Sequence, residues 1–370
     1  MKNKMVSTKN YFKGLMPGSQ KKRSQEVLRF NPAIEPSRKE PEEIKVDVYD
    51  YNADNVEHLE FTSVHHCNRF RDNGHVTWIN IDGLRQADVE AICNDFGIHP
   101  LLIEDILSVG QRAKMDEMDN AIFCLLNMIY YNEEGSCIEQ EQVSIVLGKD
   151  YVLSFQEEAN RDVFNPLRDK LKVAGSKLRG AGPDYLCYSL IDIIVDSYYT
   201  VLERLGEHIE VLEEDIIHRG DAHSLSLINN LRKELIILKR SVNPVREVVN
   251  GFLRSDSELV NEKIIQYFKD VYDHIVQAND LVENYRDMMM SLQDLYLNKV
   301  NLRMNEVMKV MAIVTCLLAP ATVIGGIFGM NFQTIPYIHN QYGFFIAVAL
   351  MLLIPLWMVR VFKKRGWFDN

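Results

Sequence analysis

Two uncharged apolar segments lie near the C-terminus. Residues 310–328 and 342–359 contain no charged side chain over 19 and 18 positions. At about 1.5 Å per residue, a helix of either length nearly spans the ~30 Å hydrocarbon core of a bilayer. Basic residues border the pair, with Lys309 before the first segment and Arg360 after the second. By the positive-inside rule we predict two transmembrane helices, both termini in the cytoplasm and an outward-facing connector at 329–341.

The segment before the first apolar run has helical spacing over an unusual length. Neither Gly nor Pro occurs in the 68 residues between Gly251 and Pro320, and apolar residues recur there every three or four positions. This pattern predicts one helix about 100 Å long that continues into the first transmembrane segment. A single helix of that length needs lateral partners, so we expect a bundle built from several chains.

Strand-like and helix-like patterns alternate in the first half of the chain. Apolar runs predict strands at 44–49, 75–81, 122–131, 142–147 and 151–155. Residues 88–107 have helical spacing, and Pro100 should bend or divide that helix. Helical spacing dominates from Asp184 onward, with breaks at Gly220 and near Pro244. The fold class is therefore predicted as an α+β cytoplasmic domain followed by a long helical stalk and two transmembrane helices.

The chain divides into seven predicted segments, and its charge is unevenly placed among them. The net charge is -11, whereas residues 1–40 carry +7 and residues 299–370 carry +5. The acidic body between these basic ends argues against nucleic acid as a partner. The predicted segments are a basic mobile arm (1–40), a cytoplasmic α/β domain (41–170), a cytoplasmic helical hairpin (171–250), a stalk helix continuing into the first transmembrane helix (251–328), an outer loop (329–341), the second transmembrane helix (342–359) and a basic cytoplasmic tail (360–370).

One face of the predicted stalk helix carries polar, small or thioether side chains at alternating steps of four and three. Its members are Asp294, Asn298, Asn301, Asn305, Met308, Ala312, Thr315, Ala319, Thr322 and Gly326. Small residues allow membrane helices to pack closely, whereas polar residues line water-filled paths. Close packing accounts for Ala312, Ala319 and Gly326, but it does not account for three Asn and one Asp. We therefore favour a pore over packing alone.

A Gly-Met-Asn tripeptide, Gly329, Met330 and Asn331, follows the first apolar segment. Glycine permits a turn at a helix end, and the amide of asparagine both donates and accepts hydrogen bonds. Because Mg²⁺ holds its water ligands tightly, a pore for it gains by hydrogen-bonding the hydrated ion. We expect the side-chain carbonyl of Asn331 to accept hydrogen bonds from those waters.

The stretch NEVMKVMAIVTCLLAPATVIGGIFGMNF resembles the first span and signature of the CorA-type magnesium and divalent-cation transporters. Three further stretches, HPLLIEDIL, YVLSFQEE and KDVYDHIVQANDLVENYRD, resemble the cytoplasmic domain and stalk of that family. The resemblance implies a funnel-shaped homopentamer in the inner (plasma) membrane that passes magnesium and often cobalt and nickel.

The resemblance also implies roles for individual residues. Gly329, Met330 and Asn331 match the selectivity signature, and Asn305 matches a ring of amides inside the pore. Met308 and Met311 match an apolar gate, Thr315 and Thr322 face the pore, and Asp294 matches an acidic ring at its cytoplasmic part. Asp105 and Asp270 match acids that hold regulatory magnesium between subunits.

These observations predict passive, gated transport of hydrated magnesium into the cytoplasm, closed by cytoplasmic magnesium bound between subunits. The sequence contains no phosphate loop, nucleophile elbow or HExxH motif, so we predict neither an enzyme nor an organic cofactor. Two alternatives remain. One is a zinc-selective transporter of the same family, and the other is a membrane-anchored coiled-coil scaffold or sensor, which would not need an Asn-rich stripe.

Overall fold

In the computed structural model, the first half of the chain folds around a seven-stranded mixed sheet. The structure describes residues 40–108, 110–118, 120–133, 135, 137–158, 163–330 and 341–367. The sheet order is β2-β1-β3-β7-β6-β5-β4, in which β3 and β7 pair in parallel and the other neighbours pair antiparallel. The strands are β1 (Lys45–Tyr51), β2 (Val56–Phe61), β3 (Val76–Asp82), β4 (Lys114–Met118), β5 (Ala121–Asn132), β6 (Cys137–Leu147) and β7 (Tyr151–Gln156).

All five predicted strands are observed, and the two strands that were not predicted are the two edges of the sheet. β2 has the sequence VEHLEF and β4 has the sequence KMDEM. Charged side chains are typical of edge strands, because they discourage pairing with another chain. The same charges remove the apolar run by which a strand is recognised in a sequence.

One face of the sheet packs against two short helices, α1 (Gln86–Asp95) and α2 (Pro100–Leu107). The predicted division of this helical stretch is confirmed. Pro100 occupies the first turn of α2, where its missing N–H is not needed. His99 caps the same helix, since its Nδ1 accepts a hydrogen bond of 3.2 Å from the backbone N–H of Leu101.

The remaining helices follow in sequence. They are α3 (Asn165–Lys172), α4 (Pro183–His218), α5 (Ala222–Val242), α6 (Val245–Arg254), α7 (Glu262–Phe328) and α8 (Gly343–Lys364). The predicted break at Gly220 is confirmed, since this residue has a φ of +53° between α4 and α5. Tyr198 of α4 donates a 2.7 Å hydrogen bond to the carbonyl of Asn127 in β5, so α4 contacts the sheet.

The predicted start of the stalk helix at residue 251 is wrong. α6 ends at Arg254, and α7 begins at Glu262. Between them, the hydroxyl of Ser255 accepts a hydrogen bond from the N–H of Ser257, and the amide of Asn261 accepts one from the N–H of Lys263. Such side chains offer the backbone an alternative to helical hydrogen bonds, so the helix breaks without Gly or Pro.

The described residues fall into two units. The first contains those up to Asp215 and Ala222–Leu292, and it holds the sheet, α1 to α3, most of α4, α5, α6 and the N-terminal part of α7. In this part of α7, the apolar stripe at Phe268, Val271, Ile275, Ala278 and Val282 is buried. The predicted helical spacing is confirmed, but in this part of α7 the stripe packs within its own chain rather than only against other chains.

The second unit contains Ile216–Asp221 and the residues from Gln293 onward, which include the rest of α7 and α8. Both helices are long and apolar enough to cross a membrane, and their apolar segments are almost entirely exposed. α7 continues through Pro320 to Phe328 without a break. The two helices touch closely enough that a methyl group added at Gly325 would lie 3.6 Å from Cε of Met351.

Candidate functional site

The predicted polar stripe lies on one continuous helix, α7, and every member of it is exposed in the single chain. Asp294, Asn298, Asn301 and Asn305 extend over three turns before the apolar segment, and Met308 and Met311 follow with 54% and 67% exposure. Apolar residues on other faces, such as Leu318, are equally exposed. Exposure in one chain therefore leaves room for both a bilayer and further copies of the helix.

Two threonine hydroxyls of the stripe are anchored to the helix backbone. Thr315 donates a 2.9 Å hydrogen bond to the carbonyl of Met311, and Thr322 donates a 3.0 Å hydrogen bond to the carbonyl of Leu318. Because the hydroxyl protons are used in this way, the oxygen lone pairs remain available as acceptors. An acceptor on an exposed face suits a hydrated cation, whose waters present their protons outward.

Gly329 ends the first apolar helix in a tight turn. Its N–H donates a 2.9 Å hydrogen bond to the carbonyl of Gly325, and the N–H of Met330 donates a 3.4 Å bond to the carbonyl of Ile327. A methyl group added at Gly329 would lie 3.1 Å from the oxygen of Gly325. The third residue of the predicted signature, Asn331, lies outside the described residues.

Basic side chains of α7 bind the C-terminal end of α4 within the second unit. Lys299 Nζ donates a 3.0 Å hydrogen bond to the carbonyl of Ile217, and Arg303 donates one of 3.0 Å to the carbonyl of Arg219. The last carbonyls of a helix lack partners within the helix and carry partial negative charge. The two cations therefore fasten the end of α4 to α7 just before the apolar segment.

A candidate metal centre lies in the first unit, between α4 and α7. Asp192, Asp196 and His274 place one potential ligand atom each within 4.8 Å of one another. The two aspartates are one turn apart on α4, and His274 Nδ1 lies 3.9 Å from Asp196 Oδ1. Nδ1 of His274 is buried and has no hydrogen-bond partner among the described residues. Asp270, predicted as a regulatory ligand, lies one turn before His274 and is exposed.

The environment of Asp192 favours a bound cation. Burial and the charge of Asp196 raise the pKa of Asp192 above its ordinary value, and a smaller contribution comes from Asp270. Tyr188 donates a 3.2 Å hydrogen bond to Asp192 Oδ2, and this bond lowers the pKa of Asp192. Like charges held together in this way are relieved by a divalent ion, for which carboxylate oxygens are the preferred protein ligands.

Asp105, the other predicted regulatory ligand, is held by neighbours on its own domain. Its Oδ1 lies 2.6 Å from Lys114 Nζ and accepts a 3.1 Å hydrogen bond from Gln111. Among the described residues, no hydrogen bond or ion pair joins Asp105 to Asp270 in the single chain. A metal ion at Asp105 would have to share this carboxylate with Lys114.

Sequence reasoning missed all three residues of the candidate metal centre, Asp192, Asp196 and His274. The spacing itself was a signal, because Asp192 and Asp196, like Asp270 and His274, are separated by four residues on a helix. Residues four apart share a helix face. The two pairs come together only because α4 packs against α7. Helical spacing alone does not predict such a tertiary contact.

Comparisons with known proteins show which proteins this chain resembles. A family model described as CorA-like Mg²⁺ transporter protein matches residues 73–364. The cobalt/magnesium transport protein CorA of Thermotoga maritima is 38% identical over 327 residues, which cover 88% of this chain and 93% of that protein. The putative metal ion transporter YfjQ of Bacillus subtilis is 30% identical over 292 residues, or 79% of this chain and 90% of that protein.

A solved full-length structure has the same fold. The CorA magnesium transporter from Methanocaldococcus jannaschii matches with a TM-score of 0.73 at 22% identity, covering 87% of this chain and 98% of that one. The predicted fold class is confirmed in its order of a mixed α/β domain, a long helix and two apolar C-terminal helices.

Proposed function

The chain belongs to the CorA-like Mg²⁺ transporter family, and on that basis we propose that it conducts hydrated Mg²⁺ passively into the cytoplasm through a gated pore. The polar stripe on the exposed part of α7 is the observation that carries the proposal. Cobalt is included because the Thermotoga relative is named a cobalt/magnesium transport protein. Nickel is included from the sequence resemblance. The proposed location is the inner (plasma) membrane, with both termini in the cytoplasm.

The proposed pore consists of several copies of α7 around a symmetry axis. One α7 packed on one α8 cannot enclose a water-filled path, and polar side chains in a membrane otherwise face lipid at high cost. Rotational symmetry would arrange each residue of the stripe as a ring. The sequence resemblance makes five the proposed number of chains.

The rings divide the work of conduction in this proposal. The amides of Asn331 at the outer mouth and of Asn305 inside accept hydrogen bonds from the waters around the ion. Met308 and Met311 form an apolar constriction that blocks conduction when it loses its water. Entry is driven by the membrane potential, which contributes ~2.3 kcal/mol per charge at 100 mV.

Regulation is proposed to act through the acidic surface of α4 and α7. Cytoplasmic Mg²⁺ at Asp270, near Asp192 and Asp196, would reduce repulsion between acidic subunits and favour the closed state. Asp105 of an adjacent chain would add a further carboxylate. When cytoplasmic Mg²⁺ falls, the subunits separate slightly and the gate fills with water, because a ligand shifts a conformational equilibrium by its differential affinity.

Replacing one polar ring by an apolar ring tests the conducting role of the stripe. Asn305→Leu should reduce Mg²⁺ uptake into proteoliposomes at least about tenfold, because each chain would present a side chain that cannot hydrogen-bond the hydrated ion. Val307→Leu is the matched control, since Val307 is exposed on another face of the same turn. A magnesium-sensitive dye inside the vesicles reports the uptake rate.

The paired variants separate the proposal from the scaffold alternative. Loss of uptake in Asn305→Leu with normal uptake in Val307→Leu supports a pore along the stripe. Equal uptake in both variants and the parent chain contradicts it. Repeating the parent measurement with Zn²⁺ tests the zinc-selective alternative, which predicts zinc entry without magnesium entry.

A further inference from the structure

A second group of metal-ligand side chains lies on β1 and β2, at the edge of the sheet opposite β4. Asp47, His58 and Glu60 place their ligand atoms within 4.8 Å of one another. His58 Nε2 lies 3.5 Å from Asp47 Oδ1 and 3.9 Å from Glu60 Oε1. The imidazole nitrogen thus faces two carboxylates.

The strand pairing fixes this arrangement. Asp47 of β1 is directly opposite Glu60 of β2, and Tyr49 is directly opposite His58. Directly paired residues, and residues two apart on one strand, lie on the same face of a sheet. The three ligand side chains therefore share a face through backbone register rather than through flexible loops.

Asp47 has an oxygen without a hydrogen-bond donor. Its side chain is only 3% exposed, and Oδ1 has no hydrogen-bond partner among the described residues. The other oxygen, Oδ2, accepts a 3.0 Å hydrogen bond from Lys45. A buried carboxylate oxygen without a donor is costly. Oδ1 is also the oxygen that faces His58, so the acceptor without a hydrogen bond points into the group of three ligand side chains.

The imidazole is held in place by aromatic packing. The rings of His58 and Tyr49 stack with centroids 4.2 Å apart and planes 10° from parallel. Tyr49 is 2% exposed and stacks in turn on Trp78, at 5.4 Å. A ligand ring oriented by its neighbours loses little freedom when it binds an ion.

We propose that Asp47, His58 and Glu60 form a binding site for a divalent transition-metal ion of the Co²⁺ or Zn²⁺ class, separate from the magnesium pathway. Ligands about 2.0–2.1 Å from a tetrahedral ion lie about 3.4 Å apart, close to the observed 3.5 Å between His58 and Asp47. Three protein ligands leave a fourth position for water. Lys45 holds the second oxygen of Asp47, as outer partners of metal-binding carboxylates commonly do.

The ligand set distinguishes this site from a magnesium site. Mg²⁺ prefers an octahedral set of oxygen ligands, whereas imidazole suits cobalt, nickel and zinc. The competing explanation is a protonated His58 that forms ion pairs with both carboxylates and binds no metal. The two explanations differ in whether the group takes up an ion when magnesium is abundant.

Cobalt binding to the full-length chain, purified in detergent and stripped of metals, tests the proposal. Co²⁺ is the probe, and Mg²⁺ is kept in large excess to occupy magnesium sites. Equilibrium dialysis gives the number of Co²⁺ ions per chain, and the visible absorption of Co²⁺ reports its coordination. His58→Gln and Asp47→Asn each remove one ligand, and His66→Gln is the matched control on an exposed histidine just after β2.

The parent chain and His66→Gln should each bind one more Co²⁺ per chain than His58→Gln and Asp47→Asn. Co²⁺ should also raise the unfolding temperature of the parent chain and His66→Gln more than that of His58→Gln and Asp47→Asn. Magnesium uptake should be the same in His58→Gln and the parent chain. Equal Co²⁺ binding by His58→Gln and the parent, or a loss confined to Asp47→Asn, would overturn the proposal.

Discussion

At the scale of single residues, the contacts around Gly329 favour glycine at the first position of the Gly-Met-Asn tripeptide. A side chain there would press on the carbonyl of Gly325, which accepts the hydrogen bond that closes the last turn of α7. The sequence indicated a helix end at this position, and α7 ends at Phe328. The close approach of the carbonyl oxygen is visible only in the structure.

Gly329→Ala should therefore reduce Mg²⁺ uptake severalfold, because the new methyl group lies 3.1 Å from the oxygen of Gly325 and shifts the residues that follow. Gly325→Ala is the matched control, since its methyl group makes an ordinary contact of 3.6 Å with Met351. Uptake into proteoliposomes, normalised to the amount of folded protein, measures both. Equal uptake by the two variants would count against a constrained turn.

The candidate metal centre shows what prediction from single residues does not reach. Asp270 was predicted by resemblance, whereas the grouping of Asp192 with His274 depends on the packing of α4 against α7. The ligand atoms come from positions 82 residues apart in the sequence. Helical periodicity gives the face on which each residue lies, but it does not give which faces meet.

At the scale of elements, prediction succeeded where the hydrophobic pattern was strong. The interior strands β1, β3, β5, β6 and β7 and the apolar helices were found, because burial on both faces or on one helical stripe gives a recognisable apolar pattern in the sequence. The charged edge strands β2 and β4 were missed, and so was the break at Ser255. The edge strands carry polar side chains that face solvent, and the break depends on polar side chains that form local hydrogen bonds. A pattern of apolar residues predicts neither feature.

The junction of α4 and α7 supplies a test at this scale. Lys299→Met keeps the aliphatic stem beside Gly220 but removes the hydrogen bond to the carbonyl of Ile217. Losing one such bond costs about 1 kcal/mol, so local opening should rise about fivefold. Hydrogen exchange of the amides at residues 218–221 measures this. Lys309→Met, the same change on the same helix, should leave their exchange unaltered, and equal rates in both variants would refute the fastening role.

At the scale of the whole molecule, the single chain leaves two kinds of surface on α7 and α8 uncovered. The apolar segments of α7 and α8 are almost entirely exposed, and the polar stripe lies beside them on α7. In the proposed assembly, lipid covers the apolar faces and further copies of α7 surround the stripe. The periodicity of one helix does not predict the number of copies or their arrangement. The proposed number rests on the resemblance to the CorA-type transporters.

Regulation by magnesium is a property of the assembly in this account. Asp270→Ala should raise the cytoplasmic Mg²⁺ concentration that halves uptake at least about fivefold, which corresponds to a coupling free energy of about 1 kcal/mol. Asp280→Ala, an exposed aspartate on the same helix, is the matched control. Uptake is measured in proteoliposomes preloaded with graded Mg²⁺ on the cytoplasmic side. Unchanged inhibition in Asp270→Ala would remove Asp270 from the regulatory site.

The most direct measurement of the central claim is potential-driven Mg²⁺ uptake by the purified chain in proteoliposomes, with Asn331→Ala and Asn340→Ala compared. Both changes remove one asparagine amide from the same connector, and only the first alters the Gly-Met-Asn signature. We predict rapid uptake by the parent chain and by Asn340→Ala, and loss of uptake by Asn331→Ala. Absence of Mg²⁺ uptake by the folded, oligomeric parent chain, or full uptake by Asn331→Ala, would contradict the account.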